Sequence, residues 1–235
     1  MIKGIYQSAR ALQVKVKNLE VLSQNLANIS TTGYKREIPF SELVNRFEDE
    51  RFNQITDFTQ GAMTKTDNPF QLAINGAGFF VLETERGLEI TRNGNFTINE
   101  QGYLVNNNGY RVLGQGGPIS VENVMDYKNK AVKIKTDGEI RIGDELIGKL
   151  RIVKISEQQN LSRTGNSAFV SEDNDIEDAS DEEFTVNQGF LETSNVNAII
   201  EMQEMIGLNK DYEASQKVIG FYDTTLAKSI DIGRF

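Results

Sequence analysis

Residues 5–29 read IYQSARALQVKVKNLEVLSQNLANI, and this stretch decides how the N-terminal end of the chain folds. Its apolar residues recur at steps of three or four, the spacing that places them along one face of an α-helix. A single amphipathic helix is only marginally stable in water. The stripe therefore needs a partner, either elsewhere in the chain or on another molecule.

A second stripe lies at the other end of the chain. From Met205 to Ser229 the steps alternate strictly between four and three, which is the heptad spacing of helices that pack side by side. Residues 1–36 carry six basic residues and one acidic one, whereas the chain from Gln188 onward carries seven acidic and four basic residues, so charge also favours pairing of the two ends. We expect the stripes to meet, within one subunit or between subunits, along a seam made of Leu12, Val16, Leu19, Leu22 and Leu26 with Met205, Leu208, Tyr212, Ile219, Tyr222 and Leu226.

Between the two stripes, from about residue 66 to residue 184, the helical period gives way to short alternating apolar runs separated by Gly and Asn turns. The pair Asp137-Gly138 predicts a tight hairpin, and Asn93-Gly94 and Asn108-Gly109 give similar turn signals. The predicted strands are Gln71–Asn75, Phe79–Glu83, Leu88–Thr91, Tyr110–Leu113, Ala131–Lys135, Glu139–Ile142 and Lys149–Ile155.

These patterns predict an α+β fold in which N- and C-terminal helices pair as a coiled-coil-like domain, with a β-rich domain inserted between them. Residues 1–33 and 190–235 would form the helical domain and residues 66–189 the β-rich domain. Residues 34–65 would connect them.

The composition disfavours several classes of function. The 235 residues include neither histidine nor cysteine, which removes the commonest general base and the commonest soft metal ligands. A net charge of −9 disfavours nucleic acid as a partner, and no stretch approaches the length of a membrane span. In the acidic segment 172–183, Asp178 and Phe184 stand where a calcium-binding loop requires Gly and Glu. We therefore expect no catalytic, cofactor-binding or metal site.

Three tracts resemble the bacterial flagellar basal-body rod and hook protein family. NLEVLSQNLANISTTGYKR at 18–36 resembles its N-terminal signature, in which Gly33 permits the left-handed backbone that ends a helical segment. DNP at 67–69, LAING at 72–76, GFF at 78–80 and TRNG at 91–94 resemble the start of its β domain. QGFLETSNVN at 188–197 resembles the entry into its last helix, where we expect side chains 192–195 to cap the first turn.

The resemblance implies a structural protein, most similar to the proximal rod protein because the segment 37–65 is short. Such a subunit would be exported unfolded by the flagellar type III apparatus and would polymerise into a helical, torque-transmitting tube in the periplasm. Its expected partners are copies of itself, other rod and hook subunits and the export apparatus, with no membrane insertion. Alternatives are a distal rod or hook subunit, a peptidoglycan-active enzyme and a free-standing coiled-coil adaptor.

Overall fold

The computed structural model describes residues 2–39, 55–121, 130–155, 161–165, 167–171 and 176–232. The chain divides into two compact units. The helical unit comprises residues 1–27, 36–57 and 196–235, and the β unit comprises residues 28–35 and 58–195. The domain boundaries drawn from composition stay a prediction.

The expected α+β class is wrong. Nineteen strands and only two helices occupy the described residues, so the chain is mostly β, with a β-rich region between one helix at each end. A coiled-coil pairing of those helices is not shown. The error has a physical reason: a long helix gives a strong periodic signal, whereas each strand here has two to six residues and signals weakly by itself.

The helical unit is built from α1 (Ile2–Ala27), α2 (Ala198–Ile232) and a short antiparallel pair of strands, β1 (Glu37–Ile38) and β2 (Ile55–Thr56). The two helices contact each other, and α1 also contacts β1. Within the described residues, no helix is long and apolar enough to cross a membrane.

The β unit contains the remaining strands, and most of them form one large antiparallel sheet. Its strands do not follow one another in sequence order, and β5 pairs with β6, β9 and β14. Two further strand pairs, β18–β4 and β19–β3, bring the end of the unit back to its beginning. The strands are β3 (Met63–Lys65), β4 (Leu72–Gly76), β5 (Phe79–Thr84), β6 (Gly87–Thr91), β7 (Phe96–Ile98), β8 (Leu104–Asn106), β9 (Arg111–Gly114), β10 (Gly117–Pro118), β11 (Val132–Ile134), β12 (Glu139–Ile142), β13 (Glu145–Lys149), β14 (Ile152–Ile155), β15 (Leu161–Arg163), β16 (Ala168–Ser171), β17 (Ile176–Asp178), β18 (Phe184–Gln188) and β19 (Phe190–Glu192).

Strand β5 is buried on both faces and separates two apolar cores. Phe80 and Leu82 belong to the larger cluster, whereas Phe79 and Val81 belong to the smaller one. Successive side chains of a strand point to opposite faces, so four consecutive apolar residues can supply both clusters. The run FFVL at 79–82 is the sequence counterpart of this central position.

Not every predicted turn forms a hairpin. The Asp137-Gly138 hairpin is confirmed, because β11 pairs with β12 across it and Gly138 has φ +84°. Asn93-Gly94 forms no hairpin: a Cβ on Gly94 would lie 1.7 Å from the Leu72 carbonyl oxygen, so this glycine permits a close approach of two backbone segments. Residues 172–175 of the acidic segment lie outside the described residues.

Candidate assembly site

The seam residues of α1 differ in how deeply they are buried. Leu22 is the deepest, with 2% of its surface exposed, while Leu12, Leu19 and Leu26 are half-buried and Val16 is 40% exposed. The apolar stripe is therefore sheltered most completely toward the C-terminal end of α1.

Between residues 202 and 222, the described seam residues of α2 lie at the sheltered positions of the helix. Between Met202 and Tyr222 every described side chain is exposed except six half-buried ones, which follow the predicted alternation of three and four: Met205, Leu208, Tyr212, Ser215, Ile219 and Tyr222. The side chain of Leu226 lies outside the described residues. The same helix exposes Ile199, Ile206 and Phe221 by 57% or more.

A polar contact also joins the two helices. The Lys15 Nζ donates hydrogen bonds to the Asp211 carbonyl oxygen at 2.9 Å and to the Ser215 Oγ at 2.8 Å. Because Ser215 is one of the six sheltered positions of α2, this lysine fixes where the middle of α1 meets α2.

The end of α1 is anchored by buried polar groups of the helical unit, which we call the Asn25 node: Asn25, Arg36, Glu37 and Glu201. The Asn25 amide donates to the Glu37 carbonyl oxygen at 2.8 Å and accepts from the Glu37 N–H at 2.9 Å, so it pairs with backbone as a neighbouring strand would. Its Nδ2 also donates to the Glu201 Oε2 at 3.1 Å, and the Arg36 Nε donates to the other oxygen. Asn25 and Glu201 are fully buried.

The β unit has a second buried cluster, the Glu192 node: Lys35, Arg92 and Glu192. The Lys35 Nζ lies 2.6 Å from the Glu192 Oε1 and donates to the Thr59 carbonyl oxygen at 2.7 Å. The Arg92 Nη1 lies 3.6 Å from the second carboxylate oxygen. Burial lowers the pKa of Arg92, and the charge of Glu192 opposes that shift. Two cations thus surround one carboxylate whose side chain has no exposed surface.

Backbone geometry brings Lys35 to this carboxylate. Gly33 has φ +66°, so its predicted left-handed conformation is confirmed, but it does not end the helix, because α1 already ends at Ala27. Its N–H donates to the Glu192 carbonyl oxygen at 2.9 Å. The next residue, Tyr34, is fully buried with the Arg163 guanidinium 4.6 Å above its ring. The Arg163 Nη2 donates to the Lys35 carbonyl oxygen at 2.6 Å.

The residues that were predicted to cap α2 are not the ones that do so. Asn197 caps the helix, since its Oδ1 accepts from the N–H groups of Ile199 at 3.1 Å and Ile200 at 3.4 Å. Glu192 is in its buried node instead, and Thr193 donates to the Ala62 carbonyl oxygen. Sequence reasoning missed both nodes: their residues lie in or near the quoted tracts, but nothing in their spacing shows which cation meets which carboxylate.

In the described part of the chain, no group of three or more acidic, histidine or cysteine side chains could hold a metal ion. Sheltered apolar positions on each helix and a buried ion pair within each unit hold helices and backbone segments in place. This is the chemistry of packing.

Three family models match the chain. The flagella basal body rod protein model matches residues 5–35, the flagellar hook protein FlgE/F/G D1 domain model matches residues 73–142, and the flagellar basal body rod FlgEFG protein C-terminal model matches residues 187–232. They fall on the three tracts that carried the resemblance.

Full-length relatives agree with these matches. The flagellar basal-body rod protein FlgF of Mesorhizobium japonicum is 30% identical over 223 aligned positions, covering 91% of this chain and 90% of that protein. FlgF of Caulobacter vibrioides is also 30% identical, covering 86% of each. FlgG of Buchnera aphidicola subsp. Acyrthosiphon pisum is 28% identical over 264 positions, covering 97% of this chain and 98% of that protein. On these matches, the chain belongs to the flagellar basal-body rod protein family.

Proposed function

We propose that this chain is a structural subunit of the flagellar basal-body rod and that the seam on α1 and α2 is its assembly interface. The observation that carries the proposal is the end-to-end match with a rod protein, over 91% of this chain and 90% of the relative. A match to only part of the chain would also be compatible with a different protein that shares one segment with the rod proteins. The rod family is structural, so the chain is a building block rather than an enzyme.

The burial of the seam supports assembly into a polymer. On α2 the sheltered positions are half-buried rather than fully buried, and large apolar residues elsewhere on the helix are exposed. When a neighbouring subunit covers apolar surface that a single chain exposes to water, the assembled state is stabilised. Contacts between unlike surfaces that do not close into a ring generate a helical polymer, which is the form we propose for this chain with itself and with other rod and hook subunits.

The proximal rod position is favoured by length. The alignment with the Buchnera FlgG spans 264 positions, more than the 235 residues of this chain, so that relative carries segments that this chain lacks. The alignment with the Mesorhizobium FlgF spans only 223 positions. We therefore place the chain with the proximal subunits, with the distal rod as the second candidate. Export in an unfolded state by the type III apparatus and torque transmission are parts of the same proposal.

The test is to place a charge on the seam. Leu22→Asp and Ile219→Asp should abolish incorporation into rods and motility when each variant replaces the wild-type chain, because an unpaired carboxylate is costly to bury. Ser23→Asp and Gln216→Asp are matched controls, since both residues are exposed neighbours of the seam. The β unit should keep its wild-type amide spectrum in all four variants.

Two outcomes would contradict the proposal. If rods assemble normally with both Leu22→Asp and Ile219→Asp, the seam is not the interface. If the wild-type chain is absent from purified rods, the proposed function itself is wrong.

A further inference from the structure

The β unit contains a polar pocket with a volume of about 400 Å³, within the range of roughly 300–1,000 Å³ that is usual for small-molecule sites. It is lined by residues from the β5–β6 hairpin, the turn between β8 and β9, and the segment before β16. The assembly seam lies on the helices, so this pocket has no part in the function proposed above.

Glu89 of β6 is the residue that makes the pocket unusual. Only 6% of its surface is exposed, and it lines the pocket beside Leu82, its antiparallel partner on β5. Among the described residues, no side chain or backbone group forms a hydrogen bond or an ion pair with its carboxylate. The side chain is nearly buried, but its carboxylate lines the pocket, so hydrogen-bond donors of a bound molecule can take the place of water there.

The other polar groups of the pocket offer donors. The Asn106 Oδ1 accepts from the N–H groups of Asn108 at 3.0 Å and Tyr110 at 2.9 Å, and the Asn93 Oδ1 accepts from the Asn95 N–H at 3.0 Å and from the Thr32 hydroxyl at 2.8 Å. Each amide oxygen has thus used both lone pairs, whereas each Nδ2 still has its two hydrogens. Within the described part of the chain, neither Nδ2 has a partner.

A ligand for this pocket must therefore donate to Glu89 and accept from Asn93 and Asn106. Hydroxyl groups do both, because each carries one donor and two lone pairs. A cation would donate to Glu89, but it accepts nothing and would meet the guanidinium of Arg86, which lines the same pocket. Tyr110 adds an aromatic ring to the lining, which can cover the apolar face of a ring-shaped ligand.

We propose that this pocket binds a saccharide, with adjacent hydroxyl groups of one sugar ring donating to Glu89 and accepting from the amides of Asn93 and Asn106. The carboxylate holds the ring by hydrogen bonds to a charged group, which are stronger than those between neutral groups.

The test is an NMR titration of the isotopically labelled full chain with N-acetylglucosamine, with glucose and, as a cationic probe without an acceptor group, with n-butylammonium. At least one sugar should give saturable shifts at the amides of residues 106–108 and 167–168, and n-butylammonium should give none there. Glu89→Gln keeps the shape of the side chain and should weaken sugar binding about ten- to a hundredfold. Glu83→Gln is the matched control, because Glu83 is an exposed carboxylate of β5 that pairs with Arg111 and does not line the pocket.

The proposal is overturned if neither sugar shifts these amides, if n-butylammonium alone does so, or if Glu89→Gln binds sugar as tightly as the wild type. Should Glu89→Gln fail to fold, the location of the shifts in the wild-type chain decides, since binding elsewhere also overturns the proposal. Membership of the rod family is unaffected by any of these results.

Discussion

Two neighbouring cationic residues at the end of the N-terminal signature form separate buried ion pairs. Lys35 pairs with Glu192 in the β unit, and Arg36 pairs with Glu201 in the helical unit. A lysine and an arginine that look alike in the sequence therefore each neutralise a different buried carboxylate. This explains why the signature continues nine residues past the last residue of α1, from residue 28 to residue 36.

Removal of the Lys35 charge should be strongly destabilising. Lys35→Met leaves the Glu192 carboxylate buried without its nearest cation, which we expect to lower the free energy of unfolding by about 3–5 kcal/mol. Lys149→Met is the control: Lys149 pairs with Asp181 at 2.6 Å, but the pair is exposed, so its loss should cost about 0–1 kcal/mol. Urea denaturation followed by circular dichroism measures both variants, and equal losses would show that the Glu192 node contributes no more than a surface pair.

Gly33 is required by its backbone conformation and by its surroundings. A Cβ there would adopt an unfavourable φ of +66° and lie 2.4 Å from the Asn93 backbone nitrogen. At Gly109, with φ +83° and no atom within 4 Å, only the conformational cost applies. Gly109→Ala should therefore lose about 1–2 kcal/mol of stability, and Gly33→Ala should lose clearly more. Thermal denaturation of both variants compares them, and the opposite order would contradict the packing argument.

At the scale of single elements, the sequence predicted local structure well where one period or one turn decides it. The run at 79–82 and the Asp137-Gly138 hairpin appear where they were expected. The Asn93-Gly94 pair has the same turn chemistry but no hairpin, because the strands on either side, β6 and β7, pair with other strands. Tertiary packing, which a local pattern does not contain, decided that case.

The N-terminal cap of α2 is testable at this scale. Asn197→Ala removes the acceptor for the amides of Ile199 and Ile200, which should cost about 0.5–2 kcal/mol and speed the hydrogen exchange of these two amides. Asn197→Asp keeps an acceptor oxygen and should retain most of their protection. If both variants exchange at the wild-type rate, Asn197 does not stabilise the start of the helix.

At the scale of the whole molecule, the sequence indicated the family but not the contacts that hold the chain together. Lys35 and Glu192 are 157 residues apart, and Arg36 and Glu201 are 165 apart. No periodicity connects positions so distant. The balance of the fold was also misjudged, because the nineteen short strands among the described residues contribute more structure than two conspicuous helical stripes suggest.

The uneven burial of the two units predicts how the isolated chain behaves. Strands such as β4 and β5 contain fully buried residues, whereas α2 between residues 202 and 222 has only half-buried and exposed side chains. Regions with little buried apolar surface open at a lower free energy than the core does. At low concentration, the amides of 202–222 should therefore exchange faster than those of β4 and β5.

Assembly should then slow exchange in the helices. In polymerised wild-type chain, residues 202–222 should become protected while β4 and β5 change little, because neighbouring subunits cover apolar surface that the single chain leaves exposed. The Leu22→Asp variant under the same conditions is the control, since it should not polymerise and should keep its fast exchange. If the helices of the dilute wild-type chain already exchange as slowly as the strands, the chain completes its fold alone, and folding of the helices is not coupled to assembly.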